Sequence, residues 1–188
     1  MLSRGPTMKR KTSKSGVAVS ARALSAEAAV AKREPKSLLI RPARATDAAV
    51  IARFNRAMAQ ETEQRKLSPA RVLRGVKALL ADPAKGVYFV AESGGEVIGQ
   101  LLITYEWSDW RNGNFWWIQS VFVAPEHRGR GVFKALHAHI ERLVRIRRDV
   151  CGVRLYVDTH NTKAKEVYAR LGLKATLYEL WETDFVLS

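Results

Sequence analysis

A strand that runs into a glycine- and arginine-rich turn, and from there into a helix, narrows the fold more than any other feature of this chain. Residues 115–123, Phe-Trp-Trp-Ile-Gln-Ser-Val-Phe-Val, are mostly aromatic and β-branched. Pro125 ends that run, and Glu126-His127-Arg128-Gly129-Arg130-Gly131 follows. Phe133, Leu136, Ile140 and Leu143 then recur at helical spacing. The first amides of a helix have no internal acceptor, and its dipole is positive at that end. Gly129 and Gly131 let an anion approach the backbone, and Arg128 and Arg130 add full charges. The turn therefore reads as an anion cradle. Taken alone, it reads equally well as a glycine turn with solvated arginines.

The elements around it predict one α/β domain over 37–188 with a mixed sheet, in the order β-α-α-β-β-β-α-β-α-β. Residues 37–41 read as a short strand. Thr46 or Asp47 is placed to cap a helix carrying Val50, Ile51, Phe54 and Met58. Ser68-Pro69 opens a second helix, with Leu73, Val76 and Leu80 on its apolar face. Strands at 87–91, 97–104 and 115–123 form a meander, turned by Gly94-Gly95 and by 111–114. After the glycine turn and its helix, Val153, Leu155 and Val157 alternate as a strand. The chain from 115 to 158 is then a crossover, right-handed by default. Ala164, Val167, Tyr168 and Leu171 mark a last helix stopped by Gly172, and 174–187 can supply one or two final strands.

Met1–Lys36 is different. It holds nine Lys/Arg against Glu27 and Glu34 and almost no large apolar residues, so it reads as a basic, disordered tail. An organellar transit peptide, a nonspecific basic arm, or an upstream start with Met8 as the true first residue fit the same composition. The tail carries half of the net charge of +14. Such charge attracts polyanions generally, so nucleic acid is expected only nonspecifically through the tail. No apolar run reaches membrane-spanning length. With Cys151 the single cysteine, a reducing compartment follows, and the chain is expected to be cytoplasmic. His137 and His139 lie two apart on a helix and do not share a face, so no metal is expected.

Arg128-Gly129-Arg130-Gly131-Val132-Phe133 resembles the coenzyme A pyrophosphate turn of the GNAT superfamily of N-acetyltransferases, Arg/Gln-x-x-Gly-x-Gly/Ala, with Phe133 where Gly or Ala is usual. Asn161-Thr162-Lys163-Ala164, Tyr168 and Leu171-Gly172-Leu173 resemble the family's Asn-x-x-Ala-x-x-x-Tyr-x-x-x-Gly-Phe pattern. Ile40-Arg41-Pro42-Ala43 and Val97-Ile98-Gly99 extend the resemblance over about 38–188.

The resemblance implies acetyl-CoA as co-substrate and direct attack by a primary amine through a tetrahedral intermediate. It implies coenzyme contacts from Val121, Phe122, Val123, Arg128, Gly129, Arg130, Gly131, Val132, Phe133, Asn161, Ala164 and Tyr168. In this reading the Val121 amide is the oxyanion donor, Val123 pairs with pantetheine, and Tyr168 is the general acid. An amine with a pKa near 10.4 is only about 0.1% neutral near pH 7.4, so something must take its proton. The strand at 115–123 holds no acid; Glu106 and Asp109 are the nearest carboxylates in sequence, and a water chain would also serve. Trp107, Trp110 and Gln119 are the expected substrate contacts, the indoles suiting a cation. The Thr-Tyr-Glu-Trp layout is similar to spermidine/spermine acetyltransferases, with Gln119 and Ser120 where those carry an acidic pair. The partner is thus a small-molecule or peptide amine, and the resemblance allows a homodimer. A noncatalytic acyl-CoA-binding module and a basic nucleic-acid-binding protein are the alternatives.

Overall fold

The computed structural model describes residues 37–186, so the expectations for the tail fall outside it. One five-stranded sheet runs in the order β1 (Leu38–Pro42), β2 (Val87–Ser93), β3 (Glu96–Ser108), β4 (Gly113–Val123), β5 (Val150–Leu155). The first three pairings are antiparallel and β4–β5 is parallel. Helices α1 (Ala48–Glu63) and α2 (Pro69–Leu80) lie between β1 and β2 in the chain. Helix α3 (Val132–Ile146) makes the crossover to β5, and α4 (Thr162–Arg170) follows it.

The apolar run at 87–91 is a strand buried on both sides, which is why it lacks clean alternation. Phe89 and Ala91 join Leu101, Ile103, Trp116 and Ile118 against Val132, Leu136 and Ile140 of α3. Tyr88, Val90 and Leu102 point the other way, onto Ala48, Ile51 and Ala52 of α1 and Val76 of α2. Leu136, Ile140, Ile51 and Leu101 are fully buried. Each such side chain stabilises the fold by about 1.5–3 kcal/mol. Ser68 caps α2 through the Arg71 amide, with Pro69 at the first helical position.

Three expectations change. Strand β3 runs to Ser108, beyond the expected end at Thr104, so Glu106 and Trp107 belong to it. Cross-strand partners extend it there, among them Tyr105 opposite Trp116, with ring centroids 6.3 Å apart. Strand β5 stops at Leu155 and leaves Val157 outside. No strand forms after α4 among the described residues. In that last segment Leu177, Tyr178, Leu180, Trp181, Phe185 and Val186 are exposed. Alternation supplied a face there but no neighbouring strand to pair with.

A buried ion cluster ties the start of the domain together. The Arg41 guanidinium donates to Asp47 (2.7 Å) and to Glu92 (2.8 Å), and the Arg44 amide donates to Asp47 (2.7 Å). Asp47 thus closes the turn that opens α1, although it sits one residue before the helix and caps no amide of it. The Arg41 hydrogen bond, opposed by burial, holds the Asp47 carboxyl below the ordinary carboxylate range. Asp47→Asn is expected to lower unfolding free energy by about 2–3 kcal/mol at pH 7, because it strips a hydrogen-bonded charge from the buried Arg41. The folded-state pKa lies below the unfolded one, so this contribution is intact above about pH 4 and fades as pH falls through the lowered value. Urea titrations of both proteins at pH 7 and pH 3 read this directly; an equal gap at the two pH values would refute it.

Candidate active site

Strand β4 ends at Val123, and a single 3-10 turn, Pro125–His127, leads to the two glycines. Gly129 has φ +72° and Gly131 has φ +79°, and a Cβ at either would meet nothing within 4 Å. The glycines are therefore needed for conformation, since the left-handed region costs other residues roughly 1–2 kcal/mol. The same observation shows that the space above the turn is open. Gly131 is the N-cap of α3, and no side chain caps that end. The positive helix end thus lies open at the two glycines, which suits an anion such as a pyrophosphate.

Arg130 is exposed at this turn. Arg128 is spent elsewhere. Its Nε donates to the Val123 carbonyl (2.8 Å), its Nη2 to Glu61 (2.8 Å), and its guanidinium lies 5.3 Å from the Phe122 ring centre. It braces the end of α1 against the end of β4, and does not add its charge to the cradle in this structure.

Upstream of the turn, β4 bulges. Gln100 pairs with Phe122 and Leu102 with Gln119, so Ser120 and Val121 together oppose Leu101 alone. Ser120 has φ +49°, a conformation that costs a non-glycine residue about 1–3 kcal/mol and persists only if its surroundings hold it. On the other side of β4, the parallel pairing with β5 ends at Ile118 opposite Leu155. Gln119, Ser120, Val121, Phe122 and Val123 therefore have no strand partner there. Val121 and Val123 pack toward α3, whereas Phe122 is buried with Phe54, ring centres 4.9 Å apart. The Phe122 side chain is thus taken up in the core, and its main chain is paired with Gln100 of β3.

Helix α4 brings Tyr168 edge-on to Phe133, with ring centroids 5.7 Å apart. Burial pushes the Tyr168 phenol above its ordinary value. Phe133, at the position that departs from the family pattern, thus links α3 to α4, with His137 on its other side at 6.1 Å. Burial also holds the His137 imidazole below its usual range. Val132 is core. Asn161 caps α4 by accepting from the Ala164 amide at 3.0 Å, so the oxygen of the one and the amide of the other are committed.

The remaining expected residues are not brought together. Ser108 pairs with Gly113, eight residues before Val121. At about 3.3 Å per residue, Asp109 and Trp110 lie roughly 25 Å from Val121 along the sheet. Asp109 accepts from the Trp110 amide (2.8 Å), and Trp110 is 85% exposed. Trp107, opposite Asn114, is scarcely nearer. Glu106 is closer but occupied: it accepts from Arg154 (2.7 Å) and from the Trp117 indole. Both carboxylates are thus engaged within the fold. Gln119 is two residues from Val121 and does border the opening; it donates to Thr104 and accepts from the Tyr156 hydroxyl at 3.4 Å.

Thr104, Arg154 and Tyr156 were not found by sequence. For Arg154 and Tyr156 the signal was present, because Val153 and Leu155 pack into the core and the even-numbered residues between and after them must face the other way. Burial raises the Tyr156 phenol, and the charges of Glu182 and Glu63 raise it further. The negative field beside Gln119 thus comes from the end of α1 and the C-terminal segment. Among the described residues no group of three metal-ligating side chains occurs.

A mixed sheet whose fourth strand bulges and loses its neighbour beside a glycine turn defines an acetyltransferase fold. The chain belongs to the acetyltransferase (GNAT) family, whose model matches residues 51–173. A possible acetyltransferase from Clostridium difficile 630 is 42% identical, with a TM-score of 0.74 over 81% of this chain and 99% of that one. A predicted acetyltransferase with acetyl-CoA from Clostridium acetobutylicum shares the fold at 17% identity, with a TM-score of 0.65 over 78% of this chain and 96% of that one. A mycothiol acetyltransferase of Corynebacterium aurimucosum is 30% identical over 122 residues, 63% of this chain and 40% of that protein. The chain thus spans less than half the length of this curated relative.

Gly131→Ala is expected to cost about 1–2 kcal/mol, all of it from φ, since the added methyl meets nothing. That is a fall of roughly 2–8 °C in melting temperature for a domain of this size. A calorimetric scan showing no shift would mean that the turn accepts a side chain without strain.

Proposed function

We propose that this protein is an N-acetyltransferase that moves the acetyl group of acetyl-CoA to a primary amine of a small molecule or peptide. The observation that carries this reading is the uncapped start of α3 at two left-handed glycines, placed where β4 has lost its strand partner. The turn would hold the pyrophosphate on main-chain amides, and the open main chain at Val121 with the Val123 amide would hold an extended amide-bearing arm, the Val123 carbonyl being taken by Arg128. Acetyl-CoA supplies an acyl group whose carbon–sulfur bond breaks once the amine nitrogen has attacked.

The chain's own residues have three tasks. The bulged main chain at Val121 donates to the developing oxyanion, an effect worth about 3–4 kcal/mol in other acyl transfers. Tyr168 returns a proton to the departing sulfur. With unperturbed values near 10 for the phenol and 8.5 for a thiol, this is uphill by about 2 kcal/mol. Burial of the phenol makes it uphill further, so the transfer needs a thiolate that is itself desolvated and more basic. The amine loses its proton to water, since Glu106 is engaged by Arg154 and Trp117. Glu63 and Glu182 draw a cationic amine toward Tyr156 and Gln119. This location keeps Gln119 and replaces Trp107 and Trp110 as the acceptor end.

Tyr168→Phe should reduce turnover about 10- to 100-fold. The affinity for coenzyme A, measured by calorimetry, should stay within about threefold, because the pyrophosphate turn is untouched. Thiol release from acetyl-CoA over a panel of amines supplies the rate. Full turnover in the variant would remove Tyr168 from the mechanism. A folded wild-type protein that binds neither coenzyme A nor acetyl-CoA would end the reading altogether, whereas binding without release to any amine would make it an acyl-CoA-binding module.

A further inference from the structure

We infer that Gln100 is a positioning residue that holds the β4 bulge in its strained shape, and so aims the main chain at Val121. The side chain is fully buried. Its Nε2 donates to the Ser120 carbonyl (3.2 Å) and to Asn55 Oδ1 (2.6 Å). Asn55 in turn donates to the Tyr88 hydroxyl (2.9 Å), and Tyr88 is itself buried. The Ser120 side chain is also hydrogen-bonded to that hydroxyl. One chain of hydrogen bonds therefore runs from Tyr88 of β2 through Asn55 of α1 and Gln100 of β3, and ends on Ser120, the only residue of β4 with a positive φ.

Stability alone does not explain this side chain. Its Oε1 is buried without a partner. An unpaired acceptor in a core is destabilising, and an apolar side chain of the same length would avoid it. What an apolar side chain could not do is donate to the Ser120 carbonyl. Gln100 itself pairs with Phe122, so its amide reaches back along β4 to grip the residue beside the oxyanion position.

This inference rests on the proposed acetyl transfer for its catalytic consequence, and not for its structural one. Gln100→Met keeps length and volume and removes the donor. In a crystal structure of the variant, Ser120 should leave the positive-φ region and the 120–121 bulge should relax. The rate constant kcat should fall at least tenfold, while KM for acetyl-CoA and affinity for coenzyme A stay within threefold. Asn55→Ala, which removes the 2.6 Å acceptor and leaves Gln100 in place, should move the same readouts in the same direction, and serves if the first variant does not fold. A retained bulge would overturn the inference, as would an unchanged kcat or a parallel loss of coenzyme affinity. If the wild-type protein acetylates no amine, the functional reading fails, and the Ser120 conformation in the variants still decides for or against Gln100.

Discussion

Every amide in a sheet must find an acceptor, and β4 is longer than the strand on one of its sides. It keeps β3 along its length, yet β5 accompanies it only as far as Ile118. The remaining features of the site follow from that shortfall. The bulge at Ser120 falls just past the last parallel pair, and the glycine turn begins where β4 ends. A polar main-chain edge inside a folded domain is sustainable only if water or a ligand with amides of its own covers it. The fold thereby turns an incomplete sheet into a binding surface.

Much of this was legible in the sequence because it rests on local chemistry. Pro125, the two glycines and the apolar spacing of 133–143 set the strand–turn–helix unit without reference to the rest of the chain. Ser68-Pro69 announced its helix in the same way. The meander was readable because Gly94-Gly95 allows a two-residue turn with positive φ at both positions. The bulge itself left no local mark in Trp-Trp-Ile-Gln-Ser-Val. It is imposed by Gln100, twenty positions earlier, and by Asn55, on another element.

Proximity in sequence is a poor guide to distance where register decides it. Glu106 and Asp109 stand close to the 115–123 strand in sequence, but a hairpin folds them onto its far end. Residues near the turn of a hairpin are the most distant from the opposite end of its second strand. Glu63 and Glu182 are remote in sequence and still bear on Tyr156. The same holds for Arg128. Its charge was read as a contribution to the anion site, and tertiary structure gives it to Glu61 and the Val123 carbonyl. A side chain's charge is visible in a sequence, but its partner is not.

The unpaired stretch of β4 has one more consequence, for solubility. Open strand edges invite another chain to add on, and exposed ones seed aggregation. Here the vacancy lies between the fourth and fifth strands, where β5 ends at Leu155, and not along β1. Anything that enters must be a single narrow chain, because a second sheet cannot wedge in from the side. The outer rims are β1, five residues long and ending in Pro42, and β5, six residues long and carrying Arg154. Both are short, which makes them poor templates for growth. The protein keeps its adhesive backbone between its last two strands, where only a slender guest can reach it.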